Sequence, residues 1–219
     1  MGGNCLLNQM IEYFQTDSSE FIGYLVQHIK LSLIALIIAI CIGIPLGYFS
    51  YRNKKVGEVL TTSSQLLRII PSLAVLFILI PIIGVGELPA LIALTFLAIP
   101  PIIMNTILGF NEIPAITLEV ARGIGMNQKQ LRNRIEIPLA APYILNGIKL
   151  ALVEIIASAT LATYIGAGGL GTILFSGLRT QDMVQILWGM ILTVLLCIAC
   201  NFILIQIEKF ALRNYEVEG

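Results

Sequence analysis

Five long apolar segments alternate with shorter polar stretches along the chain. Each is close to or longer than the roughly 20 residues with which an α-helix crosses a hydrocarbon core of about 30 Å. Prolines within them, at Pro45 and at Pro100 with Pro101, indicate kinks. The apolar segments are residues 31–49, 66–83, 90–110, 140–165 and 184–207. The pattern predicts an all-α integral membrane protein with about five transmembrane helices.

The longest polar stretch between apolar segments, residues 119–138, belongs to a connection that predicts two short helices. Pro114 can begin the first helix, because the first turn of a helix leaves its N–H groups unpaired in any case. Gly125 can end it in a left-handed conformation. Between them, an apolar stripe recurs every four residues at Ile116, Val120 and Ile124.

A second short helix is predicted immediately afterwards. Asn127, with Gln130 three residues later, is a variant of the capping box that starts helices. Leu131 and Ile135 provide a narrow apolar side, and Pro138 is expected to end the helix. The result is a polar connection with apolar patches between two membrane segments, which suits the docking of another protein.

Composition supports the membrane assignment. Hydrophobic residues make up 57% of the 219 residues and charged residues only 12%, with a mean hydropathy of +0.90. Soluble domains contain about 25% charged residues. One histidine and four cysteines indicate neither a metal site nor a disulfide framework. Cys197 and Cys200 form a C-x-x-C pair, but inside an apolar segment, which favours two small helix residues over a redox pair.

The basic residues predict the orientation of the chain in the membrane. With the N-terminus outside and five spans, ten basic residues fall on the inner side and only Lys30 and Arg179 on the outer side, with Arg68 left uncounted inside its span. Such an excess marks the cytoplasmic side. The inner residues are Arg52, Lys54, Lys55, Arg122, Lys129, Arg132, Arg134, Lys149, Lys209 and Arg213. The N-terminus is therefore predicted outside and the C-terminus inside.

One transmembrane domain accounts for nearly the whole chain, without repeats or a soluble domain. Residues 1–22 are predicted to form an extracytoplasmic N-terminal segment, residues 23–210 the transmembrane domain, and residues 211–219 a cytoplasmic tail. The connection with the two short helices is a cytoplasmic loop, residues 112–139, which we call the elbow.

A glycine-rich run, residues 166–171, matches the pattern G-x-G-x-x-G. It does not predict a dinucleotide site, because it follows a membrane helix instead of a strand. Thr172 stands where a phosphate-binding loop needs lysine, so nucleotide energy must come from another chain. Gly168 and Gly169 instead indicate a flexible turn on the outer side, where backbone segments approach closely.

A few polar residues and prolines inside the apolar segments are candidates for a solute path or a subunit interface. Glu154 is the acidic residue placed well inside a segment, where ionisable groups usually face a bundle interior or a water path. Alternatively, it lies near the inner end and pairs with a neighbour such as Lys149. Prolines free backbone carbonyls that line a cavity or meet another helix. Pro71 with Ser72, and Asn105 after the proline pair, join the candidates, and a simple packing kink is the alternative.

The elbow resembles the cytoplasmic loop of bacterial ABC importer permeases, which carries E-A-A, three residues, G, nine residues and I-x-L-P. The matching residues are Glu119, Ala121, Gly125, Ile135 and Pro138. Val120 and Ile137 depart from the pattern by small apolar changes. The resemblance implies a type I importer permease fold, with the elbow, including Met126, Asn127 and Gln130, slotted into a groove on a separate ATP-hydrolysing subunit. Glu119 is expected to hold the two short helices together or to meet that subunit.

Three further stretches are similar to one branch of this family. Residues 68–74 (RIIPSLA), 100–106 (PPIIMNT) and 163–171 (TYIGAGGLG) resemble permeases for osmoprotectants, the last also those for methionine. The resemblance implies a permease of the bacterial cell membrane for glycine betaine, carnitine or choline. It also implies a chain that is not an enzyme and binds no cofactor itself, while the partner ATPase uses ATP and Mg.

The resemblance also implies the partners of the chain. They are two ATP-binding subunits, a second permease (identical or similar), an extracellular solute-binding protein and membrane lipid, but no nucleic acid. Two alternatives remain at this point. One is a permease for methionine or another small amino acid. The other is a self-contained secondary transporter or channel, which would predict inverted repeats or paired intramembrane charges that the chain does not show.

Overall fold

The computed structural model describes residues 8–13, 15 and 18–212, and this part of the chain is helical without β-strands. Most of the predicted tail, residues 211–219, and residues 1–7 of the predicted N-terminal segment lie outside the described residues. The helices are α1 (Ser18–Arg52), α2 (Lys54–Leu67), α3 (Ser72–Ile83), α4 (Glu87–Asn111), α5 (Ala115–Gly123), α6 (Gln128–Leu131), α7 (Ile137–Leu161), α8 (Gly171–Thr180) and α9 (Met183–Leu212). A π-helical turn (Arg132–Glu136) joins α6 to α7, and a 3₁₀ turn (Ala162–Ile165) follows α7.

Four helical stretches in the described part are long and apolar enough to cross a membrane. They contain four of the five predicted segments and extend beyond them at one or both ends. Each is helical because a helix pairs its own backbone groups inside lipid. The stretches are Ser19–Arg52, Glu87–Asn111, Gln128–Ile165 and Met183–Phe210. The predicted fold class and these four spans are confirmed.

The remaining predicted span, residues 66–83, is a broken one. Helices α2 and α3 meet at an angle of 94°, and together they count as a fifth crossing only if the bent pair passes through the membrane. The break precedes Pro71, which disfavours helical geometry at Ile70 and supplies no N–H. Only Asn53 separates α1 from α2, and its side chain caps α2.

Helix α4 runs without a break through Pro100 and Pro101, where the sequence indicates a kink. Helix α4 packs along α1 on one side and α7 on the other, so neighbouring helices hold its backbone in place. Small residues allow this close approach. A Cβ atom at Gly47 of α1 would lie 2.6 Å from the Cβ of Thr106, and one at Gly147 of α7 would lie 2.8 Å from the Cβ of Asn105.

The core of the bundle is made of small and branched apolar residues on these three helices. Fully buried positions with no solvent exposure include Ala35 and Ala39 of α1, Ala93 and Leu94 of α4, and Ile155 of α7. Helix α9 packs on α8 and α7 at the side of this core and buries little of its own surface. Much of its apolar surface is therefore free to meet lipid or another subunit.

Candidate functional site

The first elbow helix, α5, has the predicted bounds and the predicted ending. Pro114 occupies the N-cap position, and the helix covers Ala115–Gly123. Gly125 has a φ of 87°, and the N–H of Met126 donates to the carbonyl of Ala121 at 3.1 Å. A left-handed residue with this bond closes a helix and turns the chain. The left-handed conformation predicted for Gly125 is confirmed.

The second elbow helix begins with the predicted capping pair. The N–H of Gln130 donates to Asn127 Oδ1 at 2.9 Å, and the N–H of Asn127 donates to Gln130 Oε1 at 2.9 Å. Two backbone donors that a helix N-terminus leaves unpaired are thereby satisfied, and such a cap contributes about 1 kcal/mol. The reciprocal bonds define the direction in which α6 leaves the turn.

Pro138 does not end the second helix, contrary to the prediction. The chain passes from α6 through the π turn into α7, and Pro138 lies in the first turn of α7. The N–H of Ile137 bonds to the carbonyl of Arg132, which is the five-residue spacing of a π turn. The change from four-residue to five-residue hydrogen-bond spacing lets the helix continue through Pro138, which has no N–H. The elbow is consequently joined to the membrane span without a loop.

The elbow presents an apolar face that no other described residue covers. Ile116, Val120 and Ile124 are 64%, 57% and 71% exposed, although they form the predicted stripe of α5. With four further residues they line a shallow depression, and those residues are Thr117, Ala121, Met126 and Ile135. A cluster of exposed large apolar side chains marks an interaction surface.

Glu119 is exposed beside this face and makes no hydrogen bond or ion pair within the described part of the chain. The expectation that it holds the two short helices together is therefore wrong for the single chain, because a side chain that points to solvent crosslinks nothing. Its other predicted role, contact with a partner, stays a prediction.

A small aromatic cluster anchors the elbow to the membrane helices. Phe110 lies 5.1 Å from the ring of Tyr48 and 5.2 Å from that of Tyr51, and it packs with Ile113 and Ala140. The π turn next to this cluster contains Glu136, which is only 2% exposed. Nothing in the local sequence distinguishes Glu136 from the exposed charges around it, so its burial was missed.

At the other end of the molecule, the glycine turn is clamped to α1. Gly168 and Gly169 have φ values of 71° and 82°. The N–H of Gly169 donates to Gln27 Oε1 at 3.1 Å, and the N–H of Leu170 donates to His28 Nδ1 at 3.3 Å. The predicted close backbone approach is confirmed, but these bonds restrain the turn, which was expected to be flexible.

His28 is the centre of this clamp and was missed by the sequence reasoning. It is 1% exposed, and its Nε2 lies 3.2 Å from the carbonyl of Ile156 on α7. Since Nδ1 accepts from Leu170, the network assigns the proton to Nε2, which donates to that carbonyl. The signal available in the sequence was a single histidine near the start of an apolar segment.

Glu154 does not pair with Lys149. Lys149 Nζ donates to Glu208 Oε2 of α9 at 2.7 Å, and both side chains are about one-fifth exposed. Glu154 accepts from Ser158 Oγ at 3.3 Å and lines a cavity of about 290 Å³. The two residues lie five positions apart on α7, so they point in different directions, and the pairing alternative is wrong.

The other path candidates do not converge on this cavity. Asn105 donates to the carbonyl of Pro101 at 2.9 Å and accepts from Asn146 at 3.1 Å, which ties α4 to α7. Pro71 and Ser72 begin α3 and are not among the residues that line the cavity. No group of three histidine, cysteine or acidic residues in the described residues could hold a metal ion.

Known transport permeases resemble this chain over most of its length. The sequence model of the binding-protein-dependent transport system inner membrane component matches residues 24–213. The chain is 35% identical to the choline transport system permease protein OpuBB of Bacillus subtilis, over 93% of this chain and 94% of the relative. It is 36% identical to the glycine betaine/carnitine/choline transport system permease protein OpuCB of the same organism, with the same coverage.

Among solved structures, a chain of the MetNI methionine ABC transporter in inward-facing form superimposes with a TM-score of 0.76. The match covers 87% of this chain and 95% of that chain, at 22% sequence identity. This likeness confirms the predicted type I importer permease fold, and the apolar helices with the permease relatives make the chain a multi-pass membrane protein. The chain belongs to the binding-protein-dependent transport system inner membrane component family.

Proposed function

We propose that this permease subunit imports quaternary-amine compatible solutes, namely glycine betaine, carnitine and choline, as part of an ATP-driven complex. The observation that carries the proposal is full-length similarity to permeases of choline and of glycine betaine/carnitine/choline systems. The three stretches that resemble the osmoprotectant branch lie at the α2–α3 break, in the middle of α4 and at the glycine turn.

The elbow is proposed to dock on an ATP-binding subunit, one for each of two permease copies. Its exposed apolar face supplies the contact area, and the side chain of Glu119 is exposed to solvent beside it. Burying three isoleucine- or valine-sized side chains stabilises a contact by roughly 1.5–3 kcal/mol each. The partner subunits hydrolyse ATP with Mg, whereas this chain contributes no catalytic residue and binds no cofactor.

Motion of the ATP-binding subunits is proposed to reach the membrane through α7. Closure of these subunits moves the elbow, and the continuous backbone from Gln128 to Ile165 carries the movement past Glu154 to the glycine turn. A stiff helix suits this role better than a loop, because a loop absorbs displacement. The clamp at His28 then connects α7 with α1 at the far end.

Selection of the solute is proposed to occur in a separate extracellular binding protein that delivers it to the outer mouth. Quaternary ammonium groups have no N–H, so tight recognition depends on several aromatic faces. Aromatic residues are only 8% of this chain, and its single tryptophan, Trp188, contacts Met10 and Phe21. The permease therefore passes the solute without holding it tightly.

Uptake by the assembled complex tests the proposal. The permease is produced with its ATP-binding and solute-binding partners in a bacterium that lacks its own osmoprotectant importers. Labelled glycine betaine, carnitine and choline are offered separately, with methionine as the comparison solute. We expect uptake of at least one quaternary amine, and none when the ATPase is inactivated by mutation. Uptake of methionine alone would contradict the proposed solute class.

A further inference from the structure

The cavity beside Glu154 lies at the α2–α3 bend. Its wall is formed by the end of α2 with the bend after it, the middle of α4 and the middle of α7. Non-helical backbone at membrane depth is tolerated where it lines a cavity or is buried in protein. The volume of about 290 Å³ is at the lower end of small-molecule sites, which span roughly 300–1,000 Å³.

Two opposite charges line this cavity without neutralising each other. Arg68 caps the end of α2, and Glu154 projects from α7. Within the described residues neither takes part in an ion pair, and the bond from Ser158 leaves most of the capacity of the Glu154 carboxylate unused. Both side chains are exposed in the single chain, and ionisable groups within membrane segments mark substrate pathways or pair with one another. Both groups are thus available to a ligand that carries both signs.

The two prolines of α4 free hydrogen-bond acceptors in residues of the same wall. Pro100 and Pro101 have no N–H, so the carbonyls four residues earlier, at Phe96 and Leu97, lack their usual helical hydrogen bonds. Both residues line the cavity, and Phe96 adds an aromatic ring. Carbonyl oxygens, a carboxylate and an aromatic face attract a cation that cannot donate hydrogen bonds.

We propose that this cavity is a transient binding site for zwitterionic solutes, in which Arg68 faces the carboxylate and Glu154 faces the quaternary ammonium. The proposal deepens the proposed function and rests on it for the identity of the solutes. Glycine betaine and carnitine carry both groups, whereas choline has a hydroxyl in place of the carboxylate. Arg68 therefore favours glycine betaine and carnitine over choline, whereas Glu154 attracts the quaternary ammonium of all three.

Relative uptake in the complete importer tests the role of Arg68. Arg68→Gln should lower glycine betaine and carnitine uptake relative to choline by roughly ten-fold, the factor of one hydrogen bond to a charged group. Arg68→Lys, which keeps the charge, should restore most of the ratio. Lys55→Gln, which removes a positive charge from the exposed first turn of α2, is the matched control and should leave the ratio unchanged.

The same binding protein serves every variant, so its own selectivity cancels from the comparison. An unchanged ratio in Arg68→Gln would overturn the proposal, as would an equal loss of all three solutes with normal amounts of complex in the membrane. Failure of the unmodified importer to take up any of the three solutes would instead overturn the proposed function. The two failures are thus distinguishable.

Protection of a cysteine in the cavity wall tests the site without transport. In a variant of the intact complex without native cysteines, Val153→Cys places a thiol on the wall, and Val59→Cys places one on the exposed side of α2. Glycine betaine at high concentration should slow thiol modification at position 153 but not at 59, and Arg68→Gln should abolish the protection. Equal protection by glycine betaine with and without Arg68, or none at all, would overturn the site.

Discussion

Gly123 and Gly125 stand two positions apart at the end of α5, and alanine should affect them in opposite directions. Gly125 has a φ of 87°, where a Cβ atom costs about 1–2 kcal/mol. Gly123 lies in the helix, and a methyl group added there would meet no atom within 4 Å, so alanine should stabilise by up to about 1 kcal/mol. Gly125→Ala should lower the melting temperature of the purified protein and reduce coupled uptake, and Gly123→Ala should do neither. Equal effects of both substitutions would contradict the assigned backbone conformation.

A second prediction at the scale of residues is that the ion pair between Lys149 and Glu208 stabilises the protein. It joins α7 to α9 at 2.7 Å, and both side chains are mostly buried. Lys149→Gln and Glu208→Gln should each destabilise the protein, and the double variant should lose about 1 kcal/mol less than the sum of the two. Thermal denaturation in detergent measures all four proteins. Strict additivity would show that the pair makes no net contribution.

At the scale of elements, the clamp between α1 and the glycine turn depends on His28. His28→Leu keeps a similar volume but leaves the N–H of Leu170 without its partner, whereas the carbonyl of Ile156 keeps the bond from Thr160 Oγ1. A buried unpaired group costs about 1–3 kcal/mol. The variant should therefore unfold at a clearly lower temperature, whereas Ile22→Leu, at a 62% exposed position of the same helix, should not. An unaltered melting temperature for His28→Leu would show that the hydrogen bonds of His28 do not stabilise the fold.

Local elements were predictable from the sequence because neighbouring residues determine them. The cap of Asn127 and Gln130 and the left-handed Gly125 depend on a few adjacent positions, and both were predicted. The continuation of the helix through Pro138 depends on a π turn that relocates the missing hydrogen bond, and proline alone indicates only a break. The partner of Lys149 is 59 residues away on α9, so only tertiary packing could show it. For the same reason the burial of Glu136 was not visible in a run of charges.

At the scale of the whole molecule, the number of crossings decides the orientation. Four crossings would place both termini on one side, whereas the bent α2–α3 pair, if it crosses, places them on opposite sides as the basic residues predict. A cysteine at Asn53 or Gln128 should then react with a membrane-impermeant reagent only from the cytoplasmic side. Val85→Cys, at an exposed position between α3 and α4, should react from outside. Labelling of positions 53 and 85 from the same side would show that the bent pair does not cross.

The continuous helix from Gln128 to Ile165 has 38 residues, which correspond to about 57 Å, nearly twice the thickness of the hydrocarbon core. A helix of this length either tilts strongly or extends beyond the bilayer, and it packs closely against α4 at Gly147. Under the proposed coupling, we expect its cytoplasmic end and its outer end to move in opposite directions about this contact. Opening at one face and closing at the other would then be one rigid motion instead of two separate events.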